Sequence, residues 1–266
     1  RATGINRLSL GIQSFSDPQL RKLGRIHDGN QARMSIEIAR QSGFENINLD
    51  LMHGLPDQEA KAAIEDLEMA LDFQPEHLSW YQLTIEPNTV FHRRPPSLPR
   101  EAVLSEIQDV GERILQDNSL QRYEVSAYAL ADRQSMHNLN YWQFGDYLGI
   151  GAGAHGKHTQ LSRAAVVRIR KLKQPDHYLR NEINRDAEIC DISRKELPLE
   201  FLLNALRLKR GFTTTVFESR TGLPFSTIEK QVEYLISSRL LQREADRIST
   251  TDKGFRFLNS VLEEFL

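Results

Sequence analysis

The sequence predicts an α/β fold: a partial TIM-like barrel of parallel βα units followed by a winged-helix-like module. Three observations predict it. Apolar and polar side chains alternate with a period of two in residues 5–15, 47–52 and 78–84, the mark of half-buried strands. Between these stretches apolar residues recur at helical spacing, so strand and helix alternate as they do around a parallel sheet. Towards the C-terminus, helical stretches lead into a short hairpin pattern and a last helix.

In residues 5–15, Leu8, Leu10 and Ile12 alternate with Ser9, Gly11 and Gln13. Asp17-Pro18 then opens a short helix, with the Asp as cap and the Pro at the first helical position. Residues 32–41 read as a second helix, closed near Gly43. The next strand puts Ile47, Leu49 and Leu51 on one face and Asn48 and Asp50 on the other. After Gly54-Leu-Pro56, the stripe of Ala60, Ile64, Leu67 and Leu71 marks a helix. Residues 78–84 form the third strand, and Leu104, Ile107, Val110 and Ile114 mark a further helix. Residues 87–99 read as a surface excursion, and residues 123–128 and 147–150 as two more short strands. The first three strands should lie parallel and adjacent in chain order, leaving the first as an open edge. Such an edge invites association, so a dimer is one expected way of covering it.

After residue 162 the chain changes character. Residues 163–196 read as a linker, with Arg168, Arg170, Lys171 and Lys173 set among apolar residues. Such a charge run is expected to be a solvated face rather than a phosphate or propionate site. In residues 197–266, helices are expected at 198–210, 214–221, 226–237 and 254–266, with a hairpin at 240–249. The helix at 226–237 carries Glu229 and Glu233 against Lys230, which does not suit a phosphate-tracking surface. No nucleic-acid partner is expected. The expected domains are 1–162, the linker 163–196, and 197–266.

Composition sets the outer bounds. The 266 residues are 39% hydrophobic and 26% charged, with a formal net charge of −2, which gives no global pull towards nucleic acid. No apolar run is long enough for a transmembrane helix. The single cysteine excludes an internal disulfide framework and fits a reducing, cytoplasmic compartment. It also excludes an all-cysteine metal or iron–sulfur site built from these residues alone. The first residues from Arg1 already read as the approach to a strand, so the sequence is expected to be a fragment lacking an N-terminal part.

Reactive groups of a βα barrel sit at the C-terminal ends of its strands. Gln13 and Asp50 fall there, each on the polar side of its strand before a turn. A carboxylate there can accept two ribose hydroxyls, and an amide can read a polar edge. Arg25 can pair with a ligand carboxylate in bidentate fashion. The plainer reading is that these residues only tie down their loops. Further on, His137-Asn-Leu-Asn-Tyr-Trp142 runs into Gly145-Asp-Tyr-Leu-Gly-Ile-Gly-Ala-Gly-Ala-His-Gly156. Imidazole ligates metals, and indole and phenol rings stack on flat ligands. The plainer reading there is a His in a polar turn, with Tyr141 and Trp142 as core. Residues 151–156 formally spell G-x-G-x-x-G, but no apolar helical stripe follows, so a Rossmann loop is not expected. His155 should face the barrel mouth. His53 and His158 are further metal candidates at uninformative spacing.

These motifs resemble the HemW haem-chaperone family, a branch of the radical S-adenosylmethionine (SAM) proteins that also holds the oxygen-independent coproporphyrinogen III oxidases. The resemblance runs through Ser9-Leu-Gly-Ile-Gln-Ser-Phe15, Leu23-Gly-Arg25, Asn48-Leu-Asp-Leu-Met-His-Gly-Leu-Pro56 and Tyr81-Gln-Leu-Thr-Ile-Glu-Pro-Asn-Thr89. It implies a radical SAM barrel in which Gln13, Arg25, Asp50 and Thr84 contact SAM. The segment from His137 to Trp142 resembles the feature that sets the chaperones apart, and implies haem bound by His137 as axial ligand beside Tyr141 and Trp142. The implied function is to bind haem and deliver it to haem-dependent respiratory proteins. The alternative is a coproporphyrinogen III oxidase using SAM radicals. One departure is specific: the family's Cys-x3-Cys-x2-Cys loop, which holds a 4Fe–4S cluster, is absent, so these residues cannot bind that cluster.

Overall fold

The alternation read from the sequence produces a sheet with one apolar and one polar face. The structure, a computed structural model, describes residues 1–160, 165–180 and 183–266. It divides into two compact units, Arg1–Gln134 and Ser135–Leu266.

The first unit runs β1 (Leu8–Gln13), α1 (Asp17–Lys22), α2 (Gly29–Gln41), β2 (Ile47–His53), α3 (Ala60–Asp72), β3 (His77–Gln82), α4 (Val90–Arg93), α5 (Glu101–Asp117), β4 (Gln121–Glu124) and β5 (Ala127–Ala129). The sheet order is β1-β2-β3-β5-β4. The first three strands are parallel and adjacent in chain order, as expected, and β5 and β4 add antiparallel pairs beyond β3. β1 is therefore an edge strand, with Ser9 and Gly11 exposed. Residues 123–128, expected as one strand, form the β4–β5 hairpin around Val125 and Ser126.

Ile12, Ile47, Leu49, Leu51, Leu78 and Trp80 form the apolar face, and they pack against Ile36 of α2, Leu67 of α3 and Ile107 of α5. Each fully buried aliphatic side chain contributes about 1.5–3 kcal/mol relative to an exposed one. The helix α5 approaches the sheet most closely at Gly111, where a Cβ would lie 2.0 Å from Trp80 Cη2. Gly111→Ala is accordingly expected to destabilise this unit by about 1–3 kcal/mol through overpacking. Urea unfolding followed by Trp80 emission measures it, and an unchanged midpoint would contradict the close packing.

The ends of two helices differ in detail from the sequence reading. Ser16, not Asp17, occupies the N-cap of α1, with Asp17 in the first turn. The Asp17 carboxylate is engaged elsewhere, accepting from Gly29 N at 2.8 Å. α2 starts earlier than expected because Asp28 and Gln31 form a reciprocal capping box.

The second unit runs α6 (Met136–Trp142), β6 (His155–Gln160), β7 (Ala165–Lys171), α7 (Pro175–Arg180), β8 (Asp186–Asp191), α8 (Leu197–Ala205), β9 (Phe212–Thr213), α9 (Thr214–Thr221), α10 (Glu229–Ser237), β10 (Leu241–Glu244), β11 (Arg247–Thr250), α11 (Asp252–Arg256) and α12 (Leu258–Glu263). β6, β7 and β8 form an antiparallel sheet, so the stretch 163–196, read as a linker, supplies two of its three strands. Val166 and Val167 are buried, which is what holds β7 in place. The expected boundary at 162/163 and Arg163 lie outside the described residues. Residues 147–150 are not a strand: Tyr147 makes a single bridge to Lys157, and Leu148 and Ile150 are exposed.

The C-terminal part has the winged-helix order, with β10 and β11 as the wing and β9 on the far side of β11. α8 stops at Ala205, short of the expected Arg210, and the chain turns at Gly211. There φ is +62° and a Cβ would lie 1.9 Å from the Ile248 carbonyl oxygen, so only glycine fits. The expected last helix is broken at Phe257 into α11 and α12. No helix among the described residues is long and apolar enough to cross a membrane.

Candidate functional site

The polar face of the first unit's sheet carries a continuous hydrogen-bonded row. Ser9 Oγ donates to Asp50 Oδ2 at 3.0 Å, and Asn48 Nδ2 donates to Asp50 Oδ1 at 2.8 Å and to Ser9 Oγ at 2.6 Å. With its amide nitrogen so engaged, Asn48 presents Oδ1 to Ser79 Oγ at 3.1 Å and to His77 Nδ1 at 2.6 Å. His77 Nδ1 is thereby the protonated nitrogen, and Nε2 accepts from Tyr123 Oη at 2.8 Å. Burial, and then the Arg7 guanidinium, push His77 down from 6.5 to about 3, so it is neutral at ordinary pH.

Four residues were singled out as SAM contacts. Gln13 ends β1, buried, with φ +61°, and its amide Nε2 folds back to 2.8 Å from the place a Gly11 Cβ would take. Gly11 is the register partner of Asp50 on the neighbouring strand, and Gln13 that of Leu51. Asp50 is the fourth of seven residues in β2, not the residue before a turn as expected. Arg25 is exposed beyond α1, and it and Asp50 act on a common neighbour. Burial first, and Asp50 next, raise the Tyr81 phenol, while Arg25 opposes them. Thr84 is exposed past the end of β3 and donates to Glu86 Oε1 at 3.0 Å. The Ser9, Asn48, Ser79, His77 and Tyr123 row was not foreseen. Its only trace in the sequence is the polar half of each strand's alternation.

The segment around His137 is a helix, not a polar turn. Ser135 caps it, its Oγ accepting from Asn138 N at 3.3 Å. His137 is exposed, its ring edge-on to Tyr141 one turn on, with centroids 4.8 Å apart, and Tyr141 in turn meets Tyr147 at 4.4 Å. Trp142 is five residues from His137, so it points about 140° round the helix from it. The Arg207 guanidinium lies 4.3 Å from the Trp142 ring centroid, and the indole Nε1 is buried with no hydrogen-bond partner. Asn140 holds the turn that follows: its Nδ2 donates to Asp146 O at 3.0 Å, and its backbone carbonyl accepts from Gly145 N at 2.7 Å. A Cβ on Gly145 would fall 2.1 Å from Asn140 Oδ1, which explains the glycine. The buried Lys157 closes the loop, donating to Phe144 O at 2.9 Å and standing 3.9 Å from the Phe144 ring centroid.

The remaining candidates take structural places. His53 is buried against Trp80, centroids 4.4 Å apart, and burial lowers it to about 4. His155 is exposed and opens β6, and His158 lies on the same strand. Because residues 151–156 run into that strand and not into a helix, they are no dinucleotide loop. In the basic run, Arg168 pairs with Glu200, Arg170 with Glu188 at 3.0 Å, and Lys171 with Asp186. A 4Fe–4S cluster does not fit these residues. Cys190 is the one cysteine, exposed on β8, and no group of three metal ligands meets among the described residues.

Residues 192–257 match the family described as HemN C-terminal domain. The chain is 44% identical over 265 residues to a protein of Haemophilus influenzae named Heme chaperone HemW, covering all of this chain and 68% of that protein. It is 44% identical over 266 residues to the Escherichia coli protein of the same name, covering 99% of this chain and 69% of that one. Among solved structures, Escherichia coli coproporphyrinogen III oxidase (HemN), titled a radical SAM enzyme, superposes with a TM-score of 0.79 at 20% identity. That match covers the whole of this chain and 65% of the other, and shows the fold. The chain spans about two thirds of the length of the proteins it matches, and on its 44% identity to the two haem chaperones it belongs to the HemW family.

Proposed function

We propose that this chain handles haem as a chaperone: it binds haem on α6 with His137 as axial ligand, and passes it to haem-dependent respiratory proteins. The observation that carries this reading is an exposed imidazole, backed edge-on by Tyr141 on a capped helix, in a chain 44% identical to proteins named haem chaperones. An imidazole nitrogen can take an axial iron position, and the Tyr141 ring one turn on offers an apolar flank; Trp142, on another side of the helix, would meet only the edge of the ligand. On the polar face of the first unit, Gln13, Arg25, Asp50 and Thr84 would hold SAM, with Asp50 accepting ribose hydroxyls. SAM bound there would supply a sulfonium, and no radical step is assigned to these residues. The compartment that fits is the cytoplasm.

The test is a haem titration followed by absorption. His137→Ala is expected to weaken binding about tenfold or more, the worth of one coordinate or charge-assisted contact, and to shift the haem spectrum. An unchanged spectrum and affinity in the folded variant would remove His137 as ligand and make His155 the next to test. Coproporphyrinogen decarboxylation is the competing activity, and a product assay separates the two.

A further inference from the structure

The second unit contains a hollow of about 210 Å³ beside Trp142, with Phe201 and Phe212 as apolar walls and Arg210, Arg220 and Arg247 around it. No acidic side chain lines it. Arg210 and Arg220 are exposed and Arg247 is half-buried, and none of the three makes an ion pair among the described residues. Arg247 donates only to the Arg210 carbonyl oxygen, at 3.3 Å. Three arginines around one hollow whose lining holds no acidic side chain favour an organic anion there. The basic run at Arg168, Arg170 and Lys171, where each cation has its acid, shows the contrast.

We propose that this hollow receives a carboxylate arm on the edge of the bound macrocycle, so that its arginines read a propionate beside Trp142. The proposal rests on the haem reading above and extends it to residues outside the His137–Trp142 segment. Size decides between the whole ligand and its edge. Pockets that enclose a whole small molecule run to about 300–1,000 Å³, so this one admits an arm and leaves the macrocycle outside. Charge decides the chemistry: guanidinium forks match carboxylates in bidentate geometry. Trp142 links the two sites, since it belongs to α6 and also lines the hollow.

The test uses the whole chain, titrated with haem and with haem dimethyl ester, in which both propionates are blocked. Wild type is expected to bind haem about tenfold or more tightly than the ester. Arg220→Gln/Arg247→Gln should lose that preference by weakening haem alone, with the spectrum of the bound iron unchanged. Arg220→Gln alone, at an exposed position, provides the same reading at smaller size should the double variant fold poorly. Equal affinities of wild type for haem and ester, or a full preference retained in both variants, would overturn the proposal while leaving His137 ligation standing. Failure of wild type to bind haem at all would remove both readings.

Discussion

Phe201→Ala is expected to lower the stability of the unit Ser135–Leu266 by about 3–5 kcal/mol, enough to unfold a marginal domain. Phe201 is fully buried and stands at the centre of an aromatic cluster. Its ring meets Phe144 at 5.6 Å, Phe212 at 5.0 Å and Phe217 at 5.2 Å, all edge-to-face. Each such pair adds about 0.5–1.5 kcal/mol beyond its buried area, and one truncation removes three of them and leaves a cavity. Phe201→Leu retains most of the volume and should cost clearly less. Urea unfolding followed by Trp142 emission reads both variants. Equal midpoints for Phe201→Ala and wild type would show that the cluster carries none of the stability of this unit.

What was legible in the sequence was whatever depends on local period. Leu8, Leu10 and Ile12, and Ile47, Leu49 and Leu51, alternate because one face of a strand must be apolar where helices cover it, and that pattern survives in the bare chain. The winged-helix order was legible for the same reason. The site was legible only in part. Asp50 could be named, but not the row it belongs to, because Ser9 reaches Asp50, His77 reaches Asn48 and Tyr123 reaches His77 across gaps that no local period records. The helix at His137 is signalled by Ser135 at its cap, a signal that the aromatic and polar composition of the segment obscured. Residues 147–150 misled because Tyr, Leu and Ile favour strands, while Leu148 and Ile150 in fact lie at the surface with no strand to pair with. Arg210, Arg220 and Arg247 stand on three different elements or turns, so only the fold brings them to one hollow.

Acid is expected to unfold the unit Arg1–Gln134 in a window set by two histidines. His77 falls from 6.5 to about 3 and His53 from 6.5 to about 4, in both cases chiefly because burial disfavours the imidazolium. A histidine whose folded value is depressed contributes stability that is present above 6.5 and is lost as pH falls below it, since the unfolded chain then binds a proton the folded chain refuses. Each such proton costs about 1.4 kcal/mol per pH unit, so between pH 6.5 and about 4 the slope approaches twice that figure. Asp66, raised by burial against the bonds it accepts from Ser14 and Phe15, works in the opposite sense as pH falls through its raised value towards 3.8. The network sets the reason for His77: a second proton on Nε2 would turn Tyr123 from donor to acceptor, while Nδ1 is already committed to Asn48. His77→Gln should therefore flatten the pH dependence by about one proton even as it lowers stability at pH 7.5 by about 1–3 kcal/mol through imperfect replacement of two buried hydrogen bonds. Urea midpoints from pH 7.5 to 4.5, followed by Trp80 emission in a Trp142→Phe background, give both slopes. A wild-type curve flat over that range, or an unaltered slope in His77→Gln, would show that the buried imidazoles are not what links folding to pH.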